Sequence, residues 1–347
     1  MFARLKWLGS LRVLTGALLM LAASQAPAQQ VEDPVLNLHF QNNNVFIPHA
    51  VAREKGWFAD AGFTDVEFKS FTAGALAGEA LLAGEISAWM PGNVPIISMR
   101  HNALSVVVVG NIVSVYEKLV IRPDAGVKTP EDLYKIRIGL LEGSTASAML
   151  DNIATHYELD ASKLQIVNLP PPEEVTALTS NEVQAIVVWE PFASQGRDAV
   201  DGKFLYENNI SHFEQDDGAH FAASHTRVPI VFSEQYLREK PETAKAIVKV
   251  LVKATEWVLD PANKEEAIKI FAKATERSEE SIANDWSEYF FSPALDQSYL
   301  DDMRNYTAFM EKAGRISNAI DPLDYTYTGI LQEIDPKYVQ IDGHWKP

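Results

Sequence analysis

The sequence predicts an α/β fold of two lobes joined by crossing strands. Strand-like and helix-like segments alternate from Val35 to Tyr206, the pattern of largely parallel sheets covered by helices on both faces. The chain has 347 residues, enough for two cores of ordinary size, and its 47% hydrophobic content is that of a globular protein. No low-complexity linker divides it, which fits lobes joined by crossing strands better than two beads on a string.

The elements follow in order. Val35 to Phe40 reads as a strand ending in the polar loop Gln41-Asn42-Asn43-Asn44. Ile47 to Ala61 reads as a helix, and Val66 to Phe71 alternates as a strand. Thr72-Ala73-Gly74 opens an Ala-rich helix. Ile86 to Met90 is a strand closed by Pro91-Gly92-Asn93, then a helix runs to about Asn102. Leu104 to Val109 is a buried strand, and near Val113 to Val120 the chain crosses to its second lobe. There Thr129-Pro130 starts a helix, with Thr as cap and Pro at the first helical position. Arg137–Leu141, Leu164–Leu169, Val183–Trp189 and Lys203–Tyr206 read as strands, with helices over Ser144–Leu159 and Glu173–Thr179. Beyond Glu234 the pattern is mostly helical: Ala244, Ile247, Val248, Leu251, Ala254 and Val258 share one face, opposite Lys245, Lys249 and Lys253. The expected lobes are 29–115 with 213–347, and 116–212.

The ends of the chain and its charge narrow the class. Arg4, Lys6 and Arg12, the apolar run Val13 to Ala23 and Ala26-Pro27-Ala28 form a secretory signal peptide over residues 1–28. The apolar run is shorter than the about 20 residues that span a bilayer. With no cysteine, the exported chain has neither disulfides nor a lipidated N-terminus, so a freely soluble periplasmic protein is expected. Without the signal, 27 basic residues face 47 acidic ones, a net charge near −20. That disfavours nucleic acid and anionic lipid, though not a small anion held by local N–H donors.

Two loops carry the candidate chemistry. Gly143-Ser144-Thr145 follows a strand and opens a helix, where unpaired backbone N–H groups and hydroxyls make an anion grip. The second, Trp189-Glu190-Pro191-Phe192, offers an aromatic face and a carboxylate. Loops at the carboxyl ends of neighbouring strands form a small-molecule pocket in an open α/β sheet. Glu190 in such a cleft would favour a ligand bearing an ammonium or another donor beside its anionic group. Arg227 is a candidate anion clamp. His212, His220 and His225, with Glu214, Asp216 and Asp217, match no metal-ligand spacing, so no metal or other cofactor is expected. No serine elbow, zinc-protease helix, phosphate loop or dinucleotide fingerprint occurs, and a binder is expected, not an enzyme.

Pro48-His49-Ala50-Val51-Ala52-Arg53-Glu54-Lys55-Gly56-Trp57-Phe58, Glu79-Ala80-Leu81-Leu82-Ala83-Gly84-Glu85-Ile86, Gly143-Ser144-Thr145 and Trp189-Glu190-Pro191-Phe192 occur in that order. The chain thereby resembles the substrate-binding proteins of alkanesulfonate, taurine and nitrate ABC importers, with their thiamine-precursor pyrimidine-binding relatives. The resemblance implies a type II periplasmic-binding fold, two crossover strands and a cleft that closes on its ligand. It implies a pocket built from Asn42, Asn43, Thr72, Ala73, Gly74 and Asn93 in the first lobe, and Gly143, Ser144, Thr145, Trp189 and Glu190 in the second. It further implies a monomer that delivers a sulfonate, taurine-like solute to a membrane permease. Nitrate, a pyrimidine, a sensor lobe and an exported enzyme on the same fold are the alternatives.

Overall fold

The computed structural model describes residues 31–216 and 218–347; the expected signal peptide lies outside them. The first lobe opens with β1 (Val35–Phe40), α1 (Ile47–Glu54) and α2 (Trp57–Asp60). A single helix was expected here. It is split because Gly56 takes a φ of +72°, the left-handed conformation that ends a helix. β2 (Asp65–Ser70) lies parallel to β1, paired from Val35–Asp65 to Phe40–Ser70. After Thr72 comes a 3-10 turn and then the short α3 (Gly78–Leu82). The strand expected over Ile86 to Met90 is reduced to two bridges, Leu38 with Ala88 and Trp89 with Val231. They stitch this segment to β1 on one side and to a later strand on the other. α4 (Asn93–His101) follows, then β3 (Val106–Val115), whose ten residues are all buried.

The second lobe contains β4 (Lys118–Ile121), β5 (Arg137–Leu140), α5 (Thr145–His156), β6 (Gln165–Asn168), α6 (Pro171–Thr179), β7 (Ala185–Val188), α7 (Phe192–Ala199), β8 (Lys203–Glu207) and β9 (Ile210–Ser211). Its sheet order is β6-β5-β7-β4-β8-β9. β5 is parallel to β6 and β7, but β4 is antiparallel to β7 and β8. The sheet is thus mixed, not largely parallel. β4 starts where the chain enters from the first lobe, with Lys118 opposite Val188, so it runs away from the cleft while β7 runs toward it. Apolar side chains cover both faces of this sheet, Leu119, Ile138 and Val187 on one, Val120, Ile186 and Val188 on the other. Phe213, Phe221 and Ala223 pack into the first of these cores. Residues as far as Ala223 thus pack with this sheet.

The chain returns through β10 (Thr226–Ser233), antiparallel to β3. α8 (Glu234–Glu239), α9 (Pro241–Leu259), α10 (Lys264–Thr275), α11 (Glu279–Asp285), β11 (Phe290–Phe291), α12 (Gln297–Lys312) and α13 (Gly329–Ile334) complete the first lobe. The α9 face chosen from its spacing is buried throughout, from Ala244 to Val258, while Lys249 and Lys253 are exposed. β3 and β10 thus form the base of the first lobe and both crossings. Among the described residues, no helix is long and apolar enough to cross a membrane.

Candidate ligand site in the interlobe cleft

A cavity of about 60 Å³ lies where the crossings meet the two lobes. That holds several waters or the head of a small solute. Gln41, Asn43, Phe46, Gly74, Met90 and Gly92 line it from the first lobe, and Ser144, Thr145 and Trp189 from the second. Val115, Glu117 and Thr226 line it from the crossings. Gln41 follows β1, Ser144 follows β5 and Trp189 follows β7, so the wall is built at strand carboxyl ends, where open α/β sheets bind ligands. Among the described lining residues, none is a Lys, Arg or His.

Polar contacts decide what the site offers. The Ser144 hydroxyl donates to the Leu141 carbonyl at 2.7 Å, and the Thr145 hydroxyl donates to Glu117 Oε1 at 2.5 Å. Both hydroxyl protons are thus engaged within the protein. The remaining donors of this loop are the backbone N–H groups in the first turn of α5, which have no acceptor within the helix. Glu117 also accepts from Ser224, and from Thr226 at 2.8 and 2.9 Å. Burial pushes the Glu117 carboxyl above the ordinary carboxylate range, against the pull of the Ser224, Thr145 and Thr226 hydroxyls.

The geometry places Glu190 beside the cavity lining and not in it. Its carboxylate lies 3.0 Å from Lys118 Nζ and accepts from Ser194 N at 3.0 Å and Ser194 Oγ at 2.9 Å. It does not line the cavity. Lys118 and Ser194 hold it there, beside a smaller pocket that it lines with Asn43, Val115 and Trp189, and Glu117 supplies the carboxyl at the cavity. Arg227 is likewise turned away: its guanidinium lies 2.6 Å from Asp302 and donates to Ser298. Asn93 is fully buried, accepts from Arg227 N at 2.6 Å and faces Met303 Sδ at 3.2 Å, so it ties α4 to β10 and α12. Asn42 is exposed and faces the Thr275 carbonyl, while Thr72 and Ala73 lie outside the lining. Gly143, with φ +73°, lines a separate groove beside Glu142, Ser147 and Arg315. The cavity therefore gathers Asn43, Gly74, Ser144, Thr145 and Trp189 from the expected set.

The histidines of the metal question are apart in role. His212 faces Glu207 at 3.3 Å, and His225 pairs with Asp302 while stacking on Tyr116. His220 is exposed, and Asp217 lies outside the described residues. Among the described residues, no group of three or more His, Cys, Asp or Glu could hold a metal ion.

Two α/β lobes, a double crossing and a small donor-bearing cleft define the class of periplasmic solute-binding folds. The model of the NMT1/THI5-like family matches residues 43–267, and the chain belongs to that family. The taurine-binding periplasmic protein of Escherichia coli is 24% identical over 226 residues, covering 62% of this chain and 67% of that one. A binding protein of Brucella abortus is 23% identical over 293 residues, covering 80% and 84%. Among solved structures, the alkanesulfonate-binding protein of Xanthomonas axonopodis bound to MOPS superposes with a TM-score of 0.71 at 15% identity, covering 86% of this chain and 100% of that one. The periplasmic nitrate-binding protein of Synechocystis gives 0.71 at 15% identity, covering 88% and 89%. These likenesses show the type II periplasmic-binding fold.

Proposed function

We propose that this protein is the periplasmic receptor of an ABC importer, capturing a small oxyanion-bearing organic solute of the sulfonate, taurine-like class and presenting it to the membrane permease. The carrying observation is the cavity itself: the N-terminus of α5 meets the Gln41 and Asn43 amides of the other lobe across a small space. Ligand contacts from both lobes favour the closed arrangement, which is the form a permease would read. The soluble, non-lipidated, monomeric state expected of the exported chain belongs to this reading. So does its role as a binder, which its likeness to a taurine-binding and an alkanesulfonate-binding protein supports.

A pyrimidine-like heteroaromatic is a second reading. Phe46 and Trp189 both line the cavity, and Glu117 could accept from a ring amino group. Thermal-shift screening against alkanesulfonates, taurine, nitrate, amino acids and pyrimidines separates the two. A ligand at 100 times its dissociation constant stabilises by about 2.7 kcal/mol. Stabilisation by a pyrimidine with none from any sulfonate or nitrate would overturn the oxyanion reading.

A further inference from the structure

The cavity wall of the first lobe contains a chain of polar contacts whose protons do not balance. Met90 N–H lies 3.2 Å from His39 Nδ1, and His39 Nε2 lies 3.1 Å from one end of the Gln41 amide. The other end of that amide lies 3.0 Å from Asn43 Nδ2, while Asn43 Oδ1 accepts from Val45 N at 3.2 Å. Both ends of the chain are fixed. A backbone N–H can only donate, and the Val45 bond leaves Asn43 presenting its NH₂ to Gln41.

His39 is completely buried, and burial, with a smaller contribution from His49, pushes its pKa down to about 3, so the ring is neutral and carries one proton. Nδ1 faces the Met90 N–H, so it must be the bare, accepting nitrogen and Nε2 must carry the hydrogen. Nε2–H then needs the oxygen of the Gln41 amide. The two ends of a carboxamide exchange by a half turn, and the hydrogen-bond network decides between them. With its oxygen on His39, Gln41 turns its NH₂ toward the NH₂ of Asn43. The opposite assignment only moves the donor–donor clash to His39 Nδ1 and the Met90 N–H, and the His39 ring is sealed at 0% exposure and outside the cavity lining. At Gln41 and Asn43 the clash borders the cavity, and an acceptor placed there relieves it. Gly74 lines the cavity beside this amide, and a Cβ on it would stand 3.0 Å from Pro91 Cα and 3.5 Å from the Gln41 amide.

We propose that Gln41 and Asn43 form a two-amide donor clamp for one acceptor oxygen of the ligand, with His39 as the positioning residue that aims Gln41. The clamp rests on the proposed capture of a small solute in this cavity and supplies the first-lobe half of its grip. The site so described is donor-rich without a formal positive charge, which favours a singly charged head with spread charge over a doubly charged one.

The test begins on ligand-free, wild-type protein labelled with ¹⁵N at histidine. Long-range ¹H–¹⁵N spectra at neutral pH should show His39 as the Nε2–H tautomer; an Nδ1–H tautomer overturns the proposal. Taurine, ethanesulfonate, nitrate and a pyrimidine are then titrated while the side-chain NH₂ resonances of Gln41 and Asn43 are followed. Gln41→Met should weaken binding of the captured compound about tenfold or more. If a pyrimidine binds, shifts both NH₂ pairs and is weakened by Gln41→Met, the clamp stands and the oxyanion reading falls. If an anion binds with both NH₂ pairs unmoved, the clamp falls and the oxyanion reading stands. If none of the four compounds shifts these resonances, the clamp falls.

Discussion

Lys118 Nζ sits 3.0 Å from Glu190 Oε1, and both side chains are 3% exposed. Lys118 also reaches Glu288 at 3.0 Å, so the pair joins the second lobe to a turn of the first. Burial opposes the lysine's charge, but Glu190 and Glu288 outweigh it and hold the ammonium above its ordinary range. Removing Glu190 leaves a buried cation with fewer partners. Glu190→Ala is expected to cost roughly 2–4 kcal/mol in chemical denaturation, with ligand affinity changed by less than about twofold. The sign follows from the raised lysine: this stabilisation is present below the unfolded value of 10.5 and is lost as pH rises through the higher folded value. The gap between wild type and variant should therefore stay constant between about pH 6 and 9. A collapse of affinity with stability intact would return Glu190 to the ligand.

Glu117 is where the nature of the ligand is decided. Burial raises its pKa, so lowering the pH neutralises it and removes a negative charge from the cavity wall. A plain alkanesulfonate should then bind more tightly as pH falls, whereas an amine-bearing sulfonate should bind more tightly as the carboxyl ionises. In Glu117→Gln both trends should vanish, and the amine-bearing ligand should lose about tenfold or more by titration calorimetry. An unchanged pH profile in that variant would show that Glu117 does not govern recognition.

Parity along β1 explains part of what was legible. Side chains alternate across a strand, and the alternation continues past its end: Gln41 and Asn43 are buried while Asn42 is exposed. The run of amides does not by itself single out Gln41, but period two places it on the cavity side with Asn43. The second-lobe loops were legible because strand, small polar loop and helix follow one another locally. Glu117 was not, because its partners Thr145, Ser224 and Thr226 are brought together only by the two crossings. The ion pair of Glu190 was not legible for the same reason: its partner Lys118 lies 72 residues away in sequence, on a strand whose antiparallel direction the alternation of elements does not reveal.

Glu174 gives a stability prediction. It sits on α6 with 0% exposure, and neither carboxyl oxygen has a partner within the protein. Burial pushes its pKa well above 4.5. A raised carboxyl means that the folded state holds the proton longer than the unfolded chain. Its contribution is therefore most favourable below about 4.5 and is lost as pH rises toward the folded value. Glu174→Gln should stabilise the protein by roughly 1–3 kcal/mol at pH 7, and the gain should fade on acidification to about pH 4. Denaturation of both proteins at the two pH values checks this; equal stability at pH 7 would refute it.

Gly92 tests whether closure of the lobes makes the site. It lines the cavity from the first lobe, and a Cβ built on it would stand 2.7 Å from Thr145 Cγ2 and 3.1 Å from Thr226 Cγ2. Its backbone is extended and ordinary, so an alanine there carries no conformational penalty, only a collision. Thr145 cannot swing away freely, because its hydroxyl is held by Glu117. The methyl group must therefore push the α5 start away from the first lobe and widen the gap that the ligand bridges. Gly92→Ala should destabilise the ligand-free protein less than the liganded one, because the Thr226 contact burdens both while the Thr145 contact adds its cost when the lobes are drawn together. Affinity should fall by a factor corresponding to about 1–3 kcal/mol, the usual range for an overpacked contact. Small-angle scattering with saturating ligand should show a less compact particle than wild type. If the variant binds and compacts as the wild type does, the contact between Gly92 and Thr145 is incidental to closure, and recognition rests on residues within each lobe separately.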